Sequence, residues 1–391
     1  MSVTYAQGFE ASGVVAGLKS TGAKDVALVV NNGPITVGAG VFTTNRVFAA
    51  PIAWSREVIA DGRVDAVILN SGGANAATGP EGFVDTHRTA EHVAEALQAV
   101  GRDISTTDVA VCSTGLIGVR LPMDRLLQGV DQSIADLSTD GGDDAAHAIM
   151  TTDSVPKLAT ADGNGWVVGG MAKGAGMLAP GMATMLCVIT TDAVVGSAHA
   201  QAALGRAVAT TLNRVDSDGC MSTNDTVLLM ASGASGVTAS EQEFEVALTQ
   251  VCAGLARGLV ADAEGAGHEI SVTVTNATTE HAAEQVARAI ARSNLFKTAI
   301  FGNDPNWGRI ISAAGTVPES IAPFDAANLD VHVNGIHVCR QSGVGDDRDL
   351  VDLTGREVFV VLDLHAGDAQ ATIWTNDLTH DYVHENSAYS S

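Results

Sequence analysis

The sequence is poor in positive charge, and it lacks long apolar runs. Only 21 Lys and Arg residues stand against 45 Asp and Glu residues in 391, for a formal net charge of −24 at pH 7. Such a surface repels nucleic acids and anionic lipids. The longest apolar runs fall well short of the roughly 20 residues that a membrane-spanning helix needs, and the N-terminus lacks the plan of a signal peptide. We therefore expect a cytoplasmic protein that binds neither nucleic acid nor membrane.

Cysteine and metal-ligand patterns are also scarce. The five cysteines are scattered and none belongs to a C-x-x-C pair, so neither a disulfide framework nor a zinc site is supported. The eleven histidines show no metal-ligand spacing. Segment 216–225 resembles a calcium loop, but its glycine stands at the fourth position instead of the sixth and no glutamate closes it. We expect no bound metal.

Common catalytic signatures are missing as well. The sequence contains no G-x-S-x-G elbow, no H-E-x-x-H and no complete phosphate-binding loop. Segment 169–176 is rich in glycine, but it lacks the Lys-Ser/Thr pair in register. These absences leave hydroxyl chemistry as the candidate.

The regular pattern that is present predicts an α/β or α+β fold. Hydrophobic residues make up 46% of the chain and charged residues 17%, which is a globular composition. Short β-branched runs predict strands: 25–32, 40–44, 66–72, 108–115, 165–172, 183–191, 225–233, 270–277, 329–334, 357–364 and 369–377. Amphipathic segments predict helices: 82–100, 122–138, 142–150, 197–215, 239–263 and 279–295. For helix 239–263, Ser240 and Glu243 predict a capping box at its start.

Thr184 stands where a loop rich in glycine and proline enters an apolar strand. A threonine hydroxyl is a poor nucleophile unless a base takes its proton, and the α-amine of the same residue is such a base once the residue becomes a chain terminus. An α-amino group titrates near about 7.7 to 8.0, so part of it is neutral at physiological pH. The pair Ala183 and Thr184 fits a cleavage site of this kind, although a threonine that begins an ordinary strand has the same local pattern.

Acyl transfer also requires hydrogen-bond donors for the negative oxygen that develops in the transition state. At the end of the predicted strand 108–115, the Thr114 side chain and the Gly115 backbone N–H can point the same way. On the local pattern alone, an ordinary turn at the end of a strand is the favoured interpretation of this segment.

Taken together, several segments resemble a known family. They are NSGGANA (70–76), CSTGLIG (112–118), IMTTD (149–153), GGMAKGAGMLAPGMATML (169–186), STNDT (222–226), ADAEG (261–265), FGNDPNWGR (301–309) and ENSAYSS (385–391). In this order, along essentially the whole chain, they closely resemble the ornithine acetyltransferases of arginine biosynthesis, which are glutamate N-acetyltransferases.

The resemblance implies a self-cleaving enzyme with a layered, αββα-like core. Cleavage between Ala183 and Thr184 would give an α chain (1–183) and a β chain (184–391) that stay folded together, and the cleaved unit would form a dimer, an α2β2 heterotetramer. The terminal threonine would take the acetyl group of N2-acetyl-L-ornithine and pass it to L-glutamate in a ping-pong cycle. No cofactor is implied, and acetyl-CoA would enter only as a co-substrate of a bifunctional member.

The resemblance also implies roles for individual residues. Thr184 would be the nucleophile, and Thr114 and Gly115 would form the oxyanion hole. The substrate-binding set would include Thr184 together with Thr152, Lys173, Glu264, Asn386 and Ser391. A lysine suits a substrate carboxylate, and a glutamate suits the ammonium group of ornithine.

One position departs from the family pattern, and two other functions remain open. Gly73 stands where many relatives have asparagine, which affects only the local loop. An N-terminal-nucleophile amidohydrolase or aminopeptidase would use water in place of glutamate as the acceptor. A non-catalytic protein that binds a small molecule would leave Thr184 uncut.

Overall fold

The apolar runs of the sequence form the strands of two separate units. The computed structural model describes residues 2–179 and 185–388. Unit 1 holds the chain up to residue 213 together with 220–262, and unit 2 holds 214–219 together with the chain from residue 263 onward. The predicted division at residue 183 concerns cleavage of the chain and stays a prediction.

Unit 1 contains two sheets. Its elements in chain order are β1 (Phe9–Val14), β2 (Val26–Asn31), β3 (Val37–Phe42), α1 (Ala50–Val58), β4 (Ala66–Asn70), α2 (Gly79–Ala99), β5 (Val109–Ser113), α3 (Met123–Ala135), α4 (Gly142–Ala148), β6 (Lys157–Asp162), β7 (Val167–Lys173), β8 (Leu186–Thr191), α5 (Ser197–Thr210), β9 (Thr226–Ala231) and α6 (Glu241–Ala261). One sheet has the strand order β1-β2-β4-β5, and the other has the order β3-β9-β8-β7-β6. The pairs β4–β5 and β8–β9 are parallel. Every residue of β2 and β8 is buried, as expected for strands covered on both faces.

The two sheets and their helices form the layers that the resemblance implies. Val29 of the first sheet and Val188 of the second belong to one apolar core between the sheets. On the outer face of the first sheet, Leu97 of α2 and Leu126 of α3 join a second core. On the outer face of the second sheet, Val251 and Leu255 of α6 pack closely against Gly170 of β7. The predicted αββα-like layering is thus confirmed within unit 1.

Helix α6 begins as its sequence indicates. The Ser240 hydroxyl accepts a hydrogen bond from the Glu243 N–H at 3.3 Å, which confirms Ser240 as the N-cap. The Glu243 carboxylate accepts from the Ser240 hydroxyl at 2.7 Å, and not from the Ser240 backbone N–H as in a complete capping box. With 21 residues and a mean hydropathy of 1.3, α6 is long and apolar enough to cross a membrane, but half of that window is buried in the protein. Its apolar face belongs to the core of unit 1.

Unit 2 contains a single described sheet, covered by helices. Its elements are β10 (Glu269–Ala277), α7 (Glu280–Ala291), α8 (Asn294–Phe301), α9 (Trp307–Ala314), β11 (Asp330–Val333), β12 (Ile336–Arg340), β13 (Gly343–Val344), β14 (Glu357–Asp363), β15 (Ala369–Asn376) and α10 (His380–Ala388). The strand order is β13-β12-β11-β14-β10-β15. Val286 of α7 and Ile310 of α9 share one apolar core with Val272 of β10.

Two predicted helices are shorter than their apolar patterns suggest. The predicted helix 197–215 ends at Thr210 and is followed by a single 3₁₀ turn. The predicted helix 279–295 ends at Ala291, because Ser293 caps a new helix by accepting a hydrogen bond from the Phe296 N–H at 3.3 Å. In both places the apolar pattern of the sequence continues beyond the last residue of the helix, where the chain changes direction.

Candidate active site

Thr114 and Gly115 lie directly after β5. The Thr114 N–H donates to the Asn70 carbonyl oxygen at 2.9 Å, and the Thr114 carbonyl oxygen accepts from the Gly73 N–H at 3.0 Å. Gly115 has a φ of +127°, and a Cβ atom there would lie 2.6 Å from the Gly73 nitrogen. Only glycine fits this position. Within the described part of the chain, no acceptor is bonded to the Gly115 N–H.

Lys173, the last residue of β7, determines what the Thr114 hydroxyl can do. The Lys173 side chain is buried, and its Nζ lies 3.3 Å from Thr114 Oγ1. An ammonium group can only donate, so the threonine oxygen accepts this hydrogen bond. The Thr114 hydroxyl proton is then directed to another acceptor. Thr114 and Gly115 can therefore supply two donors to one oxyanion.

Asp153, which the sequence analysis did not single out, contacts the two buried lysines and the backbone that follows β7. Its carboxylate accepts from the Gly174 N–H at 2.6 Å and from Lys157 Nζ at 2.5 Å, and it lies 4.0 Å from Lys173 Nζ. Burial alone would raise the pKa of Asp153, but Lys173 and Lys157 outweigh it and bring that pKa down to about 2. A fixed negative charge therefore lies beside both buried lysines, and Asp262 supplies Lys157 with a second carboxylate at 2.5 Å. The preceding residue, Thr152, is half-buried in a bend.

Asn224, in the segment 222–226, connects β5 to the neighbouring loop. Its Nδ2 donates to the Ala74 carbonyl oxygen at 2.6 Å and to the Ser113 carbonyl oxygen at 2.8 Å. These bonds fix the backbone immediately before Thr114. The sequence pattern offered one signal for Asn224 and Asp153, since both lie in segments that carry the family resemblance.

Glu264 and Asn386 meet in unit 2. Asn386 Nδ2 donates to Glu264 Oε2 at 2.9 Å and to the Tyr382 carbonyl oxygen at 3.0 Å. Glu264 also lines a cavity of about 370 Å³ in the same unit. The other charged groups that line the cavity are Asp218, Arg292, Lys297 and Asp377. Burial lowers the pKa of Lys297 to about 8, although Asp218, Asp216 and Asp377 oppose this.

The comparisons with known proteins identify the family. The family model described as the ArgJ family matches residues 10–391. The chain belongs to the ArgJ family. This confirms the identification from sequence motifs of an acetyltransferase of arginine biosynthesis.

Curated relatives of the same family match along their full or nearly full length. The arginine biosynthesis bifunctional protein ArgJ of Streptomyces avermitilis is 60% identical over 391 residues and covers 100% of both chains. The protein of the same name from Mycobacterium tuberculosis is 53% identical over 392 residues, covering 100% of this chain and 96% of its own.

Two solved ArgJ structures resemble this chain over about half its length. Ornithine acetyltransferase from Mycobacterium tuberculosis, complexed with ornithine, is 58% identical, covers 47% of this chain and 96% of its own, and has a TM-score of 0.45. The ArgJ structure from Bacillus halodurans is 36% identical, covers 51% of this chain and 97% of its own, and has a TM-score of 0.48.

Three predicted site residues of this ArgJ chain, Ala183, Thr184 and Ser391, lie outside the described residues. The structure groups Thr114, Gly115 and Lys173 in unit 1, and it groups Glu264 and Asn386 in unit 2. Across residues 2–179 and 185–388, no group of three or more His, Cys, Asp and Glu side chains is arranged to hold a metal ion.

Proposed function

We propose that this chain transfers the acetyl group of N2-acetyl-L-ornithine to L-glutamate through an acetyl ester on Thr184. The observation that carries the proposal is the pair of donors at Thr114 and Gly115, to which no acceptor among residues 2–179 and 185–388 is bonded, next to the buried ammonium group of Lys173. Such a pair stabilises the tetrahedral oxyanion of acyl transfer. The membership of the ArgJ family supports the substrates.

The proposed chemistry uses the α-amine of Thr184 as the base. The amine takes the proton of Oγ while Oγ attacks the acetyl carbonyl carbon, and the negative oxygen binds Thr114 and Gly115. The C–N bond then breaks, ornithine leaves with the proton, and the acetyl ester remains. The amine of glutamate attacks the ester in the reverse sequence and leaves as N-acetyl-L-glutamate. Each half of the cycle balances without a metal or a cofactor.

The pairing of strands supports a cut chain that stays together. The strand before the proposed cut, β7, pairs antiparallel with β8 after it, from Val168–Thr191 to Lys173–Leu186. Strand β9, also after the cut, pairs with β3 from the first half of the chain. Hydrogen bonds of one sheet would therefore hold the α and β chains, which assemble in the proposal as an α2β2 heterotetramer.

In the proposal, five side chains bind the polar groups of the substrates. They are Thr152, Lys173, Glu264, Asn386 and Ser391. Glu264 is suited to an ammonium group because its carboxylate accepts from Asn386 and lines a cavity.

Intact-mass analysis of the purified protein, before and after brief exposure to N-acetylornithine, tests the proposal. We expect two chains, the second beginning with Thr184, and a gain of one acetyl group on that chain only. Thr184→Ala is expected to remain one chain without activity. Thr191→Ala, at the other end of β8, is the matched control and should be cut. An active, uncut wild-type protein would contradict the proposal.

The requirement for an acetyl acceptor distinguishes this function from that of an N-terminal-nucleophile amidohydrolase or aminopeptidase, the alternative that the sequence left open. A transferase releases ornithine from N-acetylornithine in many turnovers only when glutamate is present, whereas a hydrolase does so without it. A non-catalytic binding protein would bind its ligand equally well after Thr184→Val and would stay uncut.

The name "bifunctional" that the curated relatives carry favours a second activity. We propose that acetyl-CoA also serves as the donor, since the same acetyl ester can form from a thioester. The test is formation of N-acetylglutamate from acetyl-CoA and glutamate without N-acetylornithine. Absence of this product in a preparation that uses N-acetylornithine would rule it out.

A further inference from the structure

The segment 222–226, which contains Asn224, also contains a fully buried aspartate, Asp225. Asp225 is 0% exposed and comes directly before β9. Its Oδ1 accepts a hydrogen bond from the Met185 N–H at 3.1 Å. The Met185 carbonyl oxygen in turn accepts from the Thr226 N–H at 3.1 Å. The backbone N–H and the carbonyl oxygen of Met185 are therefore both hydrogen-bonded, one to Asp225 and the other to its neighbour Thr226.

The second oxygen of this carboxyl group is unusual. Oδ2 of Asp225 is buried, and it has no hydrogen-bond partner among the described residues. Burial raises the pKa of Asp225 well above its ordinary value, although the Met185 N–H, the nearby side chains of Ser222 and Thr43, and the charge of Lys173 act in the opposite direction. A buried carboxyl oxygen without a partner is costly, and such groups are found where they serve a function.

Few charges face Asp225 from the surrounding elements. Lys173 approaches from β7, as its effect on the pKa shows. Arg56 of α1 donates to the carbonyl oxygen of Thr43, whose own N–H donates to the Asp225 carbonyl oxygen. Cys112 of β5 lies beside Thr226, and burial raises its pKa to about 12, which keeps the thiol neutral. None of these groups is bonded to Oδ2.

Covalent connectivity links Asp225 to the proposed cleavage site. Met185 follows Thr184 in the chain, so the N–H that Asp225 Oδ1 binds belongs to the peptide bond between these two residues. Cleavage before Thr184 would therefore free an α-amine on the residue that directly precedes this amide.

We propose that Asp225 is a positioning residue for Thr184, with Oδ1 fixing the Met185 amide and Oδ2 serving as charge partner of the α-amine that cleavage frees. This inference rests on the proposed function, because only a cut chain has that amine. When the amine takes the Thr184 hydroxyl proton it becomes an ammonium group, and an adjacent carboxylate stabilises that charge. No bond forms or breaks at Asp225 itself.

The test compares Asp225→Asn with wild type in the pH profile of kcat/KM for N-acetylornithine. Asparagine keeps an oxygen for the Met185 N–H and removes the charge. Without the carboxylate, the ammonium form is less stable, so the α-amine loses its proton at lower pH. We expect the acidic limb of the profile to move down by about half a pH unit or more, and kcat/KM to fall at least about tenfold.

Asp192→Asn is the matched control. Asp192 is equally buried, follows the other end of β8, and accepts hydrogen bonds from backbone N–H groups of Gln7 and Val167. Its variant should keep the wild-type profile. An unshifted acidic limb in Asp225→Asn would overturn the inference while leaving the proposed function intact.

Cleavage gives the second readout, for the case that Asp225→Asn is not cut. If Asp225→Asn stays uncut but melts at the wild-type temperature, while Asp192→Asn is fully cut, the inference is supported. The failure to cleave then results from loss of the carboxylate charge and not from loss of the fold. An uncut variant that melts more than about 10 °C lower overturns it, because the carboxyl group then serves only the fold. If wild type itself is uncut, the proposed function fails first.

Discussion

Two buried acids of unit 1, Asp153 and Asp225, have opposite ionisation behaviour. Both side chains are fully or almost fully buried, and each accepts a backbone N–H, from Gly174 and from Met185 respectively. Yet the pKa of Asp153 is about 2, whereas that of Asp225 is raised well above its ordinary value. Burial raises the pKa at both sites, so the difference comes from the partners.

Lysines account for the contrast. Asp153 has Lys157 in direct contact and Lys173 at 4.0 Å, whereas Lys173 affects Asp225 only through its charge and makes no hydrogen bond to Oδ2. The two carboxyl groups hold the backbone at either side of the segment between β7 and β8. The comparison teaches that one end of this segment is held by a carboxylate paired with lysine. The other end is held by a carboxyl group whose second oxygen accepts no hydrogen bond from the described residues.

The largest expected effect follows from removing the charge of Asp153. Asp153→Asn removes the carboxylate 4.0 Å from the buried Lys173 and one of the two carboxylates that contact Lys157, which keeps Asp262. Breaking a buried pair in this way costs about 3 kcal/mol. We therefore expect the free energy of unfolding in urea at pH 7 to fall by about that amount. Asp192→Asn, which has no lysine partner in the described chain, should lose clearly less. Equal losses in the two variants would show that the ion pair contributes nothing beyond ordinary hydrogen bonds.

Sequence reasoning predicted the donors of this site but not their supports. Thr114 and Gly115 follow an apolar strand directly, so their joint position is a local property of the chain. Asp153 and Asp225 meet partners up to 40 residues away, and those partners depend on sheet pairing. A pattern of apolar residues fixes which strands are buried, but it does not fix which strands are neighbours.

Local features of the sequence explain why helices α10 and α1 and strand β6 were not predicted. Helix α10 has no buried residue among those described, so it lacks the apolar stripe that predicts a helix. Helix α1 begins with Pro51 at its first turn, where proline is favoured, although the same residue in a sequence also suggests a loop. Strand β6 is only partly buried and shows no strict alternation.

The pH dependence of the unfolding free energy below pH 4 tests the lowered pKa of Asp153. A carboxyl whose pKa falls from 3.8 to about 2 on folding contributes about 2 kcal/mol above pH 4. That contribution is lost as the pH falls from 3.8 through about 2, because the unfolded chain binds the proton first. We expect this decline in wild type, measured by urea unfolding at several pH values, and a flatter curve in Asp153→Asn. Parallel curves would contradict the assignment.

Removing Lys173 tests whether one lysine acts on both acids. Lys173→Met should raise the pKa of Asp153, by about one unit, because Lys157 remains. The acid decline in unfolding free energy should then begin at higher pH and be smaller by about 1 kcal/mol. Lys24→Met is the control, since Lys24 pairs with the exposed Asp144. A curve for Lys173→Met that coincides with that of Lys24→Met would remove Lys173 from the network.

The smallest effect is expected at Asp225, and its sign should depend on cleavage. In the uncut Thr184→Ala chain, a raised pKa means that ionising Asp225 opposes folding as the pH rises above 3.8. Asp225→Asn should therefore leave the unfolding free energy at pH 7 unchanged or raise it by up to about 1 kcal/mol. In the cut chain the same substitution removes the partner of an ammonium group, so the unfolding free energy should fall. Urea unfolding of the four proteins measures both signs, and a loss of stability in the uncut pair would mean that Oδ2 already has its partner before cleavage.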